Sequence, residues 1–417
     1  MVTGGINCVN ALMRSAVFAL TLMTILTVGG KDAYALPAFA RQMQTECATC
    51  HVQHFSKLNA FGREFKASGY SMTNVKSIEG DGLSIAPNLN ATFFMRSQYS
   101  QAKGQRGVWA VPQEGAILMG GRLNDNIGGM IEWGGPLLGA KIAMSTPVGG
   151  VRIGGTVFTT DALGPSFGME LLNTGVVRNQ RPFERSSRPL LDSNSNLILG
   201  HAATGLTLYA AAPSWFVNTS FYVPDSAAAG ITAMDADTDL ANYVRAAWIP
   251  TFGDWEAGIG GGALFGKARV TTADAGAGSD AFGTPAGLKN LATNAWFVDM
   301  QLQGKLLGRE LGFYVLYANG DKPSTDPTKF NLFGGVNKQS KGWGVDAEYF
   351  VLPKLAVLLS GGQHDNGTDG ASAISSAGVG LYWKLYQNVT LQPMYEKYSG
   401  GQRTIDDLVS VTLEAAW

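Results

Sequence analysis

The chain has 417 residues, of which 54 are glycine, and only 15% are charged, for a net charge of −1. That balance excludes the basic stripe that nucleic-acid binding needs. A mean hydropathy of +0.04 is too polar for a bundle of membrane helices but ordinary for strands that alternate lipid-facing and water-facing residues.

Residues 1–35 read as an export signal. Arg14 supplies the positive charge, Ser15 to Val28 is an apolar run, and Ala33-Tyr34-Ala35 is a small-residue cleavage site that leaves Leu36 first. The run is short for a membrane anchor. Cys8 precedes it and is discarded, so the mature chain keeps only Cys47 and Cys50.

Cys47-Ala-Thr-Cys50-His51 follows, a CxxCH box and the attachment signature of haem c. Two thiols three residues apart can each form a thioether to one porphyrin, and the imidazole after them is placed to bind the iron as proximal ligand. Three other readings stand beside it. A dithiol redox pair needs a βαβ setting, and none is visible. A zinc site of Cys47, Cys50, His51 and His54 would put two adjacent residues into one tetrahedron. A Cys47–Cys50 disulfide suits an oxidising compartment.

One covalent haem c is therefore the expected cofactor, carried by residues 36–80. That unit is only about 45 residues long and buries little apolar surface by itself. It is expected to fold as a plug inside the barrel described below, or at its periplasmic mouth. On a helix His54 lies on the same side of the iron as His51. The expected metal ligands are His51 and, from the segment's two methionines Met43 and Met72, the thioether of Met72. His201 and His364 fall in or beside expected outer loops and are expected to be solvated.

From about Ile85 the chain is a train of period-two segments. Trp296, Val298, Met300 and Leu302 oppose Asp299, Gln301 and Gln303. Trp343, Val345, Ala347, Tyr349 and Val351 oppose Gly344, Asp346, Glu348 and Phe350. Ala377, Val379, Leu381, Trp383 and Leu385 oppose Gly380, Tyr382, Lys384 and Tyr386. Tight turns are expected near Asp125, Pro147, Pro213, Gly253, Gly308, Pro353 and Gln387. Longer loops fall between them, at 99–112, 161–201, 225–238, 266–292, 320–339 and 364–374, with a short exception at 134–137. Short turns on one side and long loops on the other are the bacterial outer-membrane arrangement. The expected fold is all-β: a transmembrane antiparallel barrel of about 16 strands over residues 81–417, with the haem segment as its plug. It sits in outer-membrane lipid with both barrel ends periplasmic. The last strand alternates to a terminal Trp417, which resembles the signal read by outer-membrane insertion machinery.

The segment around the box resembles the fused cytochrome–porins, the monohaem outer-membrane iron oxidases of iron-oxidising bacteria. The resemblance rests on Pro37, Phe39-Ala40-Arg41-Gln42, the box, Leu58-Asn59, Phe61-Gly62-Arg63, Phe65-Lys66 and Gly69-Tyr70. Met43-Gln44 stands where the family usually has Thr-Gly, and Ser56-Lys57 replaces a common proline. The barrel matches in architecture and length. The resemblance implies oxidation of an outside Fe(II) donor, with one electron passing through the haem to a periplasmic c-type cytochrome. Phe39, Phe61 and Phe65 are expected to cover the porphyrin. Arg41, Arg63 and Lys66 are the candidate partners for its propionates.

Two rivals remain. One is a diffusion porin with a structural haem, to which lumen-facing Arg96, Glu114, Arg122, Asp299, Glu348 and Lys384 are suited. The other is a conduit for another donor or acceptor. Aspartates at 225, 235, 237, 239, 274, 280, 321, 326, 365 and 369 in the expected outer loops are suited to attract Fe(II), and are equally favoured by turns. Arg178, Arg181, Arg185 and Arg188 oppose cation capture in the loop at 161–201.

Overall fold

The computed structural model describes residues 37–52, 57–76, 78–80, 83–85, 87, 89–135, 137–161, 163–174, 202–224, 239–268, 291–322, 330–334, 337–386 and 388–417. The export signal, His54, His201, the arginines at 178–188 and the aspartates at 225, 235, 237, 274, 280 and 326 lie outside them.

Sixteen antiparallel strands close into a barrel. They are β1 Ala91–Ala102, β2 Val108–Arg122, β3 Ile127–Trp133, β4 Leu137–Val148, β5 Val151–Thr160, β6 Ala203–Ala212, β7 Trp215–Val223 and β8 Ala241–Trp248, which Thr251–Phe252 continues. Then come β9 Trp255–Phe265, β10 Ala295–Leu306, β11 Arg309–Gly320, β12 Lys341–Leu352, β13 Leu355–Asp365, β14 Ile374–Tyr386, β15 Val389–Ser399 and β16 Asp407–Ala416. The seam joins β16 to β1, from Leu408 opposite Ala102 to Ala416 opposite Phe94. Closure leaves no open strand edge, the condition for a sheet in lipid.

The period-two reading gives the correct faces along the three strands it was read from, except at Tyr386, which a register shift after Lys384 turns outward opposite Val389. Trp296, Val298 and Met300 point outward and are exposed, while Phe297, Asp299, Gln301 and Gln303 are buried in the lumen. Trp133, Trp248, Trp296, Trp343 and Trp417 lie exposed on the outer surface, as in the aromatic girdles of membrane barrels. The expected tight turns near Asp125, Pro147, Pro213, Gly253, Gly308 and Pro353 form, while Gln387 lies outside the described residues. Two expectations of extent are corrected. The barrel starts at Ala91, because Leu83–Ile85 pairs with Ile78–Gly80 in a separate hairpin. The expected loop at 99–112 is mostly strand: Tyr99 pairs with Trp109 and their rings lie 4.9 Å apart. Polar Gln and Ser residues on both faces there hide the alternation.

The lumen is filled in three layers. At the long-loop end a short 3-10 helix, Gly164–Phe167, turns inward and packs with Phe158, Tyr222, Tyr243, Phe297, Leu316 and Phe333. In the middle Arg245 is fully buried between two carboxylates. Its Nη1 donates to Asp299 at 2.5 Å and its Nε to Glu170 at 3.0 Å. Glu170 belongs to the same inward segment, whose Thr174 hydroxyl donates to Asp299 at 2.7 Å.

At the tight-turn end sit three helices: α1 Pro37–Met43, α2 Cys47–Cys50 and α3 Ala60–Ala67. Their connections to the wall are polar. Lys57 Nζ donates to Glu348 on β12 at 2.5 Å, with neither side chain exposed. Arg63 makes a bidentate pair with Glu256 on β9, and Arg152 on β5 donates to Glu64 at 2.8 Å. The Tyr209 hydroxyl donates to the Ala67 carbonyl at 2.9 Å. The plug also meets the inward segment. The Leu58 amide donates to Asn173 Oδ1 at 2.8 Å, and Asn173 Nδ2 donates back to the Leu58 carbonyl at 2.7 Å.

Removing one partner of a buried ion pair leaves a charge without water or counter-charge, at a cost of about 3–5 kcal/mol. Glu348→Ala is expected to loosen the plug by that amount. Trypsin should then cut the N-terminal segment readily from a barrel that stays intact; equal resistance in variant and parent would refute the anchoring role.

Candidate functional site

Helix α2 is a single turn formed by the CxxC residues, so both thiols, at i and i+3, project from one face. Its position is set by α3. Asn59 caps α3 by accepting the Gly62 amide at 3.0 Å, while its Nδ2 donates to the carbonyls of Ala48 and Thr49, each at 3.1 Å. The Asn59 amide also donates to the Cys50 carbonyl at 3.0 Å. Gly62 is where the helices touch, since a Cβ there would lie 2.1 Å from the Cys50 carbonyl oxygen. The Leu58-Asn59 and Phe61-Gly62 motifs thus build the seat of the box.

His51 ends α2 in extended backbone, and its amide donates to the Cys47 carbonyl at 2.9 Å. Its Nδ1 lies 3.2 Å from the Lys57 carbonyl. A carbonyl only accepts, so Nδ1 carries the proton and the Nε2 lone pair faces the other way. Metal-binding imidazoles are held in this manner, with one ring nitrogen fixed to a backbone carbonyl and the other available to a metal.

Cys47 and Cys50 are in no disulfide and are half-buried. Burial pushes Cys47 up to about 12 and Cys50 up to about 11. Such thiols stay protonated at neutral pH, the opposite of the acidic thiolate that disulfide exchange requires. Among the described residues no three His, Cys, Asp or Glu side chains group as a metal cluster. One helical turn with two half-buried sulfurs on one face, followed by an oriented imidazole, fits covalent haem c: Cys47 and Cys50 would hold the porphyrin and His51 its iron.

The other expected site residues are divided between two places. Phe39 stacks on Tyr70 with centroids 5.2 Å apart and meets Phe65 edge-on at 5.2 Å. Phe61, Met72, Met43 and Met130 pack around that cluster. Met72 is therefore part of an aromatic core under α1, where its carbonyl accepts from Gln42 at 2.7 Å. Arg41 reaches the barrel's entry strand, donating to the carbonyls of Leu89 and Ala91. Arg63 is the partner of Glu256 described above. Lys66 is half-buried, and its side chain makes no hydrogen bond or ion pair among the described residues. Burial lowers it to about 8, with Glu170 acting in the opposite direction.

His364 is corrected: it is buried at the end of β13, 3.4 Å from the Ser340 hydroxyl, and not solvated. Of the outer aspartates, Asp369 pairs with Lys338 at 2.8 Å and Asp365 accepts from Gln402 at 2.9 Å. Sequence reasoning missed Asn173 and Glu256, each of which meets the plug across more than a hundred residues. Tyr70 was quoted only as part of a motif. Gly69 just past the helix was the available signal, and it takes a φ of +70° with Tyr70 at +63°. Together they close α3 in a Schellman motif, with Tyr70 donating to Phe65 and Gly69 to Lys66.

The barrel is similar in fold to solved outer-membrane proteins. OprB of Pseudomonas putida aligns with a TM-score of 0.51 at 11% identity, covering 78% of this chain and 93% of that one. In-vitro folded OmpT of Vibrio cholerae aligns with a TM-score of 0.50 at 10% identity, covering 82% of this chain and all of that one. No family model and no curated protein matches the chain. The chain has the fold of a porin-like outer-membrane β-barrel.

Both thiols titrate far above neutrality. In haem-free protein their alkylation by iodoacetamide is expected to stay slow through pH 9 and to rise only toward pH 11. A rate that has levelled off by pH 9 would show that the sulfurs are not buried this way.

Proposed function

We propose that this chain is a one-haem electron conduit of the outer membrane, which oxidises extracellular Fe(II) and passes the electron to a periplasmic c-type cytochrome. The observation that carries the proposal is the CxxCH turn with His51 Nδ1 fixed to the Lys57 carbonyl, held at the tight-turn end of a closed barrel. Short turns face the periplasm in bacterial barrels, so the box lies on the side of a soluble acceptor.

Haem c, once attached, supplies a carrier that takes and gives one electron without changing its ligands. Each Fe(II) loses one electron and leaves as Fe(III) on the outer side, and one acceptor haem is reduced on the inner side. The chain's own residues do the positioning. Cys47 and Cys50 would hold the porphyrin on α2, and His51 would offer its Nε2 to the iron. Asn59 and Gly62 hold α2 against α3, and Lys57, Arg63 and Glu64 hold α3 in the barrel. The side chains packed within the lumen favour electron passage over solute diffusion.

Two measurements test this. Purified protein should keep a peroxidase-active pigment through denaturing electrophoresis, and Cys47→Ala with Cys50→Ala should lose it while the barrel still folds. Anaerobic mixing with Fe(II) should make the reduced Soret band appear. A pigmented protein that Fe(II) leaves oxidised, but that another donor reduces, would instead establish a conduit for that donor.

A further inference from the structure

A cleft of about 290 Å³ opens at the tight-turn mouth, between the haem-box hairpin and the ends of β9, β10 and β11. Val52 and Asn59 form its plug wall, and Trp255 and Gly304 its barrel wall. The Trp255 ring lies directly over Gly304, where a Cβ would stand 2.5 Å from it, so that wall is an aromatic surface. Gln303 lines the cleft too and is only 5% exposed. Its Nε2 donates to the Tyr314 hydroxyl at 2.9 Å, which leaves its Oε1 without a partner among the described residues.

The charges of the lining do not balance. Glu256 is satisfied by Arg63. Asp254 and Glu310 make no side-chain hydrogen bond or ion pair among the described residues. Lys305 is the one cation of the lining. It stands opposite Glu310 in the β10–β11 register without pairing with it, and Glu310 is also within electrostatic reach of Lys384. Two carboxylates and the Gln303 amide oxygen are all acceptors, so the group that satisfies them is a donor. Val52 and Trp255 beside them suit an aliphatic stem below a cationic head, and the face of a tryptophan attracts a cation. The volume is at the bottom of the roughly 300–1,000 Å³ range of small-ligand sites, which is room for one side chain of a docked protein.

We propose that this cleft receives a lysine or arginine side chain of the soluble periplasmic electron acceptor and so docks that acceptor beside the box. The proposal rests on the electron-transfer reading above. Val52 follows His51 directly, and its amide donates at 2.9 Å to the same Lys57 carbonyl that holds His51 Nδ1. A partner seated against Val52 therefore touches the backbone of the candidate iron ligand. Its cationic head lies between Asp254 and Glu310 and donates to Gln303 Oε1. A contact of this kind is small and steered by charge, which suits a partner that leaves after each electron.

The pigmented protein, immobilised in detergent, is titrated with a lysine-rich soluble cytochrome c and with the same cytochrome after acetylation of its lysines. At low ionic strength the parent should bind the first and not the second. Asp254→Asn together with Glu310→Gln should weaken binding about tenfold and flatten its salt dependence. Thr251→Lys supplies a cation at the rim of the cleft and should weaken binding as much, so the outcome does not hang on one variant folding. Asp125→Asn removes a carboxylate from the β2–β3 turn, outside the cleft, and should match the parent. Undiminished binding in both cleft variants, equal binding of the acetylated cytochrome, or no binding to the parent would overturn this proposal alone. Absence of covalent pigment from the unaltered chain would overturn the reading beneath it.

Discussion

A charge cannot rest inside a packed barrel without its counter-charge, and the Lys57–Glu348 pair expresses that constraint most directly. Both groups are removed from water, so each is stable only where the other stands. The pair lies between the haem-box loop and β12, 291 residues away in sequence. It fixes the loop whose Lys57 carbonyl orients His51. The geometry of the box therefore depends on a wall residue, and the plug is a part of the barrel as much as a domain attached to it. The Arg63–Glu256 and Arg152–Glu64 pairs repeat the device on other strands.

Packing explains why so short a segment holds a defined shape. About 45 residues make a small core, and here it is one aromatic cluster around Tyr70. The rest of its surface is completed by the barrel: Gly69 is pressed on Ala143, and Ala67 joins a cluster with Met169, Leu172 and Phe216. The inward segment at 164–174 supplies the remaining partner through Asn173.

The barrel was legible in the sequence because strand period and turn chemistry are local. Trp296 to Leu302 announces its own two faces, and Gly253, Gly308 and Pro353 announce their own turns. The limits were also physical. Strands that rise past the apolar belt lose their alternation, so Tyr99 and Pro112 read as loop. His364 sits at a strand end, where sequence gives no sign of what folds over it. Within the plug, the box and its capping Asn59 were legible, since a CxxCH turn and an N-cap are short-range patterns. The uses of Arg41, Arg63 and Lys57 were not, because their acceptors lie on strands far along the chain. The two departures from the resembled family gain a meaning here. Lys57 provides the buried cation, and Gln44 holds a left-handed φ of +49° that glycine adopts without strain.

On the proposed function, the barrel carries a redox centre rather than an open pore. Reconstitution of the pigmented protein into liposomes, with oxidised soluble cytochrome c trapped inside and Fe(II) added outside under anaerobic conditions, tests it most directly. The account predicts reduction of the trapped cytochrome while a small co-trapped dye stays inside. Leakage of the dye, or an oxidised interior despite full pigment, would contradict it.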